Sequence, residues 1–239
     1  MIWPVVMPTG SNPEIDAESV PLFALASAPV REQLLRKSVS QSVSPGTVLF
    51  EQGDMPTFQH VVLAGSAHLF GQSREGREVP IEIVRPGDLV IPAAVVSQAP
   101  YLMQARVLES SRFLLIDGDS LRAAIAQEPA LAQAMIASLA SQFRRMVGQI
   151  KNLKLRSAPQ RVSNYVLRLS QRQNTPDRAL LPYGKNLIAS ELGMTRESFS
   201  RALSALQREG ISVQGNTILI ENAKRLAAVA GIDPLIDLD

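Results

Sequence analysis

The sequence predicts an α+β fold in three successive parts: a jelly-roll β-domain, one long helix and a winged helix-turn-helix. Three observations predict it. Residues 43–116 are short β-rich runs punctuated by Gly46, Gly53, Gly65, Gly71, Gly76 and Gly87. From Ile136 to Leu153 the apolar residues recur at alternating steps of three and four. Residues 185–210 carry the apolar spacing and central glycine of two helices joined by a tight turn.

Residues 1–19 read as an N-terminal arm, rich in Pro and Ser through Pro13. Residues 20–128 are assigned to the β-domain. Short helical patterns come first: Val20, Leu22, Phe23 and Leu25, then Val30, Leu34 and Leu35. The β runs follow at Thr47–Glu51, His60–Leu63, His68–Phe70, Val79–Val84, Leu89–Ile91, Met103–Val107 and Arg112–Ile116. Many short strands at this spacing suggest a sandwich or jelly roll. The lack of long helices between them argues against a Rossmann-type nucleotide site. Ser73–Glu78 reads as a polar hairpin tip, and residues 119–128 as a short helix.

Pro129 opens the long helix, assigned to residues 129–157 and roughly 40 Å long at 1.5 Å per residue. Ile136, Leu139, Phe143, Met146, Ile150 and Leu153 form a strict heptad seam, with Gln142, Arg145, Gln149 and Asn152 beside it. A stripe this narrow suits a two-stranded coiled coil. A helix packed on its own domain normally shows a wider apolar face. The helix is therefore expected to make a homodimer. Pro159 disfavours helical geometry at Ala158, so the hinge is placed at Ala158–Pro159.

Residues 158–239 are assigned to the last domain. A helix at Gln160–Gln173 carries Val162, Tyr165, Val166 and Leu169 on one face. The turn Asn174–Asp177 and Leu180–Pro182 lead into the helix-turn-helix. There Ala189 permits close helix approach, and Gly193 suits a left-handed turn. Leu187, Ile188, Leu192, Phe199 and Leu203 face inward. Arg196, Glu197, Ser200 and Arg201 face outward from the first two turns of the second helix, where such side chains reach base edges in the major groove. Ile211–Val213, the turn Gln214–Asn216 and Thr217–Ile220 form a two-stranded wing. The plainer reading is a helical hairpin with a solvated charged face.

Charge distribution supports the DNA reading. Residues 1–143 hold 9 Lys and Arg against 14 Asp and Glu, a net of −5. Residues 144–239 hold 15 against 8, a net of +7. A basic C-terminal part suits phosphate contacts. Lys151, Lys154, Arg156 and Arg161 add positive charge near the hinge, for DNA or for solvent. The chain has no Cys, which excludes disulfides, thiolate metal sites and cysteine-ligated iron–sulfur clusters. No apolar run approaches a transmembrane span, and the first residues lack a signal peptide's pattern. DNA binding then implies the cytoplasm.

The order of parts resembles the CRP/FNR superfamily of bacterial transcription regulators, over about residues 20–225. Three segments carry the likeness: Pro45–Asp54; Val62–Ala67 with Arg85–Asp88; and Thr195–Arg201. Glu197, Ser200 and Arg201 match the FNR-like Glu-x-x-Ser-Arg form of the recognition helix. The resemblance implies an inverted repeat like TTGAT-N4-ATCAA, read by a homodimer. Chemistry agrees. Arg bonds guanine O6 and N7, Glu accepts from cytosine N4, and Ser bonds a base or a phosphate. Arg196, at the edge of this face, is a phosphate or base candidate. The resemblance also implies RNA polymerase as a partner, with contact near Arg74–Glu82, and effector-driven swinging of the winged domains about the hinge.

The effector is narrowed by what is missing. Cyclic-AMP-binding relatives use a Gly-Glu-Leu-type segment after the Gly-Asp turn and an Arg-Ser pair about ten residues later. Here Leu89–Val96 has no Glu, Ala99–Ala105 has no Arg, and Arg106 is out of place. A cyclic phosphate buried without a partner costs several kcal/mol, so cyclic AMP is not expected. The iron–sulfur branch needs cysteines. The carbon-monoxide-sensing haem branch takes ligands from the segment here occupied by Ile91–Val95, which has no Cys or His. Haem remains open through two candidate ligands, His60 and His68. They share a face only if one strand continues through Gly65. The apolar Pro92–Val96 segment suits an apolar effector or none, as in FixK-like members. The chain is thus placed near the FixK and nitric-oxide regulators.

Two other functions compete with this reading. An enzyme is opposed by the lack of Cys, of a His-rich metal set, of a phosphate-cradling Gly loop followed by Lys, and of a Gly-x-Ser-x-Gly elbow. A ligand-binding module using its winged helix for protein contact remains the alternative.

Overall fold

A computed structural model describes residues 20–76, 78–235 and 237. The arm at residues 1–19 and Arg77 of the polar hairpin tip lie outside them. The chain divides into two compact units, residues 1–139 and 140–239.

The first unit opens with a 3-10 turn, Pro21–Phe23, and helix α1, Ala28–Arg36. Two antiparallel sheets follow. One has the order β1 (Val39–Val43), β7 (Ser111–Asp117), β3 (Phe58–Ala64). The other has the order β2 (Val48–Phe50), β6 (Gln104–Val107), β4 (Ala67–Gln72), β5 (Glu78–Val84). Neighbours in sequence are not always neighbours in the sheet, as a jelly roll requires. Strand alternation sorts the core. Val62, Leu69, Val84, Ala105, Val107 and Phe113 point into one buried cluster. Val61, Leu114 and Ile116 point the other way, onto Phe23, Leu34, Leu121 and Leu131 from the helices. Phe113, with no exposed surface, is a residue whose truncation to Ala costs about 3–5 kcal/mol.

The predicted run Leu89–Ile91 is not a strand. Leu89 makes a single bridge to Val61. The Val90 amide donates to the His60 carbonyl at 2.9 Å, and then the chain coils into helix α2, Pro92–Ser97. Pro92 in the first turn fixes a helical φ where no amide donor is needed. Ile91 ahead of it has φ 44°, and Gln98 behind has φ 52°. A β-branched residue in the left-handed region is strained. Helix α3, Gly118–Gln127, starts on Asp117, whose carboxylate accepts from the Ser120 amide at 2.8 Å.

Helix α4, Pro129–Leu155, begins in the first unit and ends in the second. Leu131, Ala134 and Met135 are buried and Leu139 packs partly on the same cluster. Beyond them the seam is bare. Ile136 is 64% exposed, Phe143 62% and Met146 51%.

The second unit continues with α5 (Ala158–Arg172), β8 (Arg178–Leu180), α6 (Lys185–Glu191), α7 (Arg196–Gln207), β9 (Ile211–Gln214), β10 (Thr217–Ile220) and α8 (Ala223–Ala230). The break between α4 and α5 falls at Arg156–Ser157, two residues ahead of the expected hinge. Ser157 caps α5 and exchanges side-chain hydrogen bonds with Gln160, so Pro159 sits in a first turn that tolerates it. The wing has three strands, not two: β8 pairs with β10, which pairs with β9. Gln173 pins β8 by accepting from the Leu180 amide at 2.8 Å and donating to its carbonyl at 2.7 Å.

Candidate nucleic-acid interface

Helix α7 separates its residues by side. Phe199, Ala202, Leu203 and Leu206 are buried against Val162, Val166, Ile188 and Ile211. Arg196, Glu197, Ser200 and Arg201 are all exposed. Residues three and four apart share a helix side, so burial of one set presents the other to solvent. Thr195 starts the helix by accepting from the Ser198 amide at 3.2 Å. The Ser198 hydroxyl in turn accepts from Arg201 Nη2 at 3.2 Å, which steadies that guanidinium. The Glu197 backbone amide, then the Thr195 hydroxyl, hold the Glu197 carboxyl below its usual range. It stays an acceptor-only anion. Sequence reasoning named the four outward residues but not Thr195 or Ser198, whose signal is a cap three residues ahead of a hydroxyl.

The turn before α7 is fixed by Gly193 at φ 63°. A Cβ there would collide with Leu153 of α4 and lie 3.4 Å from Arg161 Nη1. The glycine is required twice, for its backbone conformation and for close approach. Of the four basic residues near the break, three are engaged within the second unit. Lys151 pairs with Asp233, Arg156 with Asp237, and Arg161 donates to the Gly193 carbonyl at 3.4 Å.

The β-domain gives its candidate ligand residues different surroundings. Gly65 turns the chain at φ 77°, so His60 on β3 and His68 on β4 stand in different sheets. Both are buried. Burial lowers the His60 imidazole to about 4, and burial with the Arg106 charge does the same for His68. The His60 ring lies 5.6 Å from Phe50, which stacks on Tyr101 at 3.7 Å. Neither imidazole opens onto solvent, and the two do not fit a shared haem. Arg106 alternates with the core residues Ala105 and Val107 and so faces away from them. It pairs with Glu78 at 2.6 Å and lies 5.0 Å over the Phe70 ring. Among the described residues no His, Asp and Glu group is placed to hold a metal ion, and no helix is long and apolar enough to cross a membrane.

A β-roll, a long helix with a bare apolar seam, and a winged helix-turn-helix whose second helix exposes a polar face are the parts of a DNA-binding transcription regulator. Residues 40–128 match the Cyclic nucleotide-binding domain family and residues 160–229 the Crp-like helix-turn-helix domain family. The chain belongs to the CRP/FNR family. It is 30% identical over 194 residues to the Fumarate and nitrate reduction regulatory protein of Yersinia pestis, covering 79% of this chain and 77% of that protein. It is 27% identical over 187 residues to a CRP-like cAMP-activated global transcriptional regulator of Mycobacterium tuberculosis, covering 76% and 84%. The FixK2 structure from Bradyrhizobium japonicum shares the fold, with a TM-score of 0.71 at 21% identity over 82% of this chain and 98% of that one.

Proposed function

We propose that the protein acts as a homodimer that reads an inverted repeat resembling TTGAT-N4-ATCAA and does not respond to cyclic AMP. The observation that carries this reading is the exposed set Arg196, Glu197, Ser200 and Arg201 above a fully buried inner face of α7. Arg201 reads guanine bidentately, and Glu197 accepts from a cytosine amine. Residues 129–157 serve as the dimerisation helix. Pairing would cover Ile136, Phe143, Met146 and Ile150, which are bare in the single chain. The pair then places two α7 helices in successive major grooves, about 34 Å apart. Residues 20–128 form a sensor-like roll and residues 158–239 the reading domain, working in the cytoplasm and contacting RNA polymerase.

Cyclic AMP is opposed by two features. Arg106 is held by Glu78 on the face away from the core, and Phe50 and Tyr101 stack within it. His60 and His68 stand in different sheets and do not form a haem-ligand pair, which favours an apolar effector or none.

The test is salt-titrated binding to the inverted repeat and to a scrambled duplex. Specific reading predicts a preference for the repeat of at least a thousandfold, with both affinities falling steeply with salt. Equal affinity for the two duplexes overturns it. An affinity independent of salt would favour the protein-contact alternative.

A further inference from the structure

Past α8 the chain turns back onto the second unit's own start. Gly231 ends the helix at φ 58°. The following segment is folded by its own carboxylates. Asp233 accepts from the Leu235 amide at 3.0 Å, and Asp237 accepts from the Asp233 amide at 2.7 Å. The Asp237 amide donates to the Asp233 carbonyl at 2.9 Å.

Two ion pairs fasten this segment to the end of α4. Asp233 meets Lys151 Nζ at 2.7 Å, with both side chains partly exposed. Asp237 takes the Arg156 guanidinium with both oxygens, and the two side chains are only 8% and 4% exposed. Arg156 also donates to the Gly231 carbonyl at 3.2 Å and to Asn152 Oδ1 at 3.3 Å. A cleft of about 200 Å³, lined by Lys151, Leu155, Arg156, Gln160, Gly231 and Asp233, leaves this corner without close apolar filling. Charge therefore carries the attachment. A bidentate guanidinium–carboxylate pair taken out of water is held more firmly when its other hydrogen-bond sites are filled, and here both Arg156 Nη atoms and Asp237 Oδ2 have a second partner.

We propose that residues 231–235 together with Asp237 are a strap that locks the α4–α5 junction, making the last turns of α4 and the winged domain one body until the strap opens. The positions agree. Lys151 and Leu153, two residues apart, lie on nearly opposite sides of α4. One is held by the strap and the other seats on Gly193. The final turns are thus gripped from two directions. A swing about the Ser157 break needs the strap to release first, and with it closed a shift of α4 passes to α7 without slack. The strap lies beyond residues 160–229, the part matched to the helix-turn-helix family.

Hydrogen exchange on the full-length protein tests this without reference to any DNA site. Two strap variants are compared with it: Asp233→Asn with Asp237→Asn, and a chain ending at Gly231. Peptide 153–161 should exchange at least tenfold faster in both, while α7 and β10 keep their protection. Lys151→Asp alone should loosen the same peptide, and adding Asp233→Lys should restore it. Unchanged exchange at 153–161 overturns the proposal. So does an equal loss of protection throughout the second unit, which would make the segment ordinary core, or failure of the charge exchange to restore protection.

Discussion

The Leu153 side chain occupies the space that any side chain on Gly193 would need, so the end of α4 seats directly on the turn of the helix-turn-helix. Gly193→Ala meets this contact and a left-handed backbone together. It should destabilise the second unit by about 1–2 kcal/mol from backbone strain alone. Adding Leu153→Ala should return only the part due to the clash. Urea unfolding of the single and double variants measures the coupling. Strict additivity would mean that the contact has no energetic weight.

Met146, 51% exposed in the single chain, is a seam position expected to face its counterpart. Met146→Glu places two carboxylates in that apolar seam. Sedimentation should show monomer, with operator affinity down at least tenfold, about 1.4 kcal/mol. A dimer of unaltered strength would move the interface elsewhere.

Arg201→Ala should cost about 1–3 kcal/mol per half-site and relax discrimination at one base pair. Arg196→Ala should weaken all sequences alike and flatten the salt dependence by about one phosphate contact. Binding of both variants to each single-base change of the repeat, at two salt concentrations, separates the roles. A uniform loss for Arg201→Ala would reassign that residue to the backbone.

Calorimetry with millimolar cyclic AMP should give no heat of binding. Arg106→Ala should leave that result unchanged, since the side chain serves Glu78 and Phe70. A saturable isotherm at micromolar nucleotide would contradict the assignment of the roll.

His60 sets an acid limit on the first unit. Its imidazole titrates near 6.5 when unfolded and at about 4 when folded, because burial disfavours the cation. Between those values the unfolded chain binds the extra proton, so stability is complete above pH 6.5 and drains away as pH falls toward 4. The full difference is ~3 kcal/mol for this residue. Unfolding midpoints for the wild type and His60→Gln, taken at intervals from pH 7.5 to 4, should converge as acid is added. Parallel curves would show that His60 does not titrate this way.

The legible parts of the sequence were those with a strong period or a special turn. The seam of α4, the inner face of α7 and Gly193 are all of this kind. β1, Val-Ser-Gln-Ser-Val, was not legible, because its place comes from pairing with β7 at Val39–Leu115 and not from its own apolar content. Leu89–Ile91 reads as a strand from sequence, and helix α2 directly after it was not legible. Its helix signal was Pro92 at the first position, against a run of apolar residues that fits either structure for so short a segment. β8 needed Gln173, seven residues before Leu180, to reveal its position. On α7, residue identity gave the four outward side chains. The Ser198–Arg201 hydrogen bond depends on rotamers and did not follow from spacing.

The placement of Arg106 bears on how this lineage can change. A nucleotide-responsive descendant would not arise by adding a single acidic residue to α2. It would also need a cation on the inward side of β6, where Ala105 and Val107 now pack, and room made by dismantling the Phe50–Tyr101 stack. Each of those steps taken alone removes core contacts and gains no ligand. If the roll takes no cyclic nucleotide, as proposed, a single substitution toward one that does removes core contacts before any ligand replaces them.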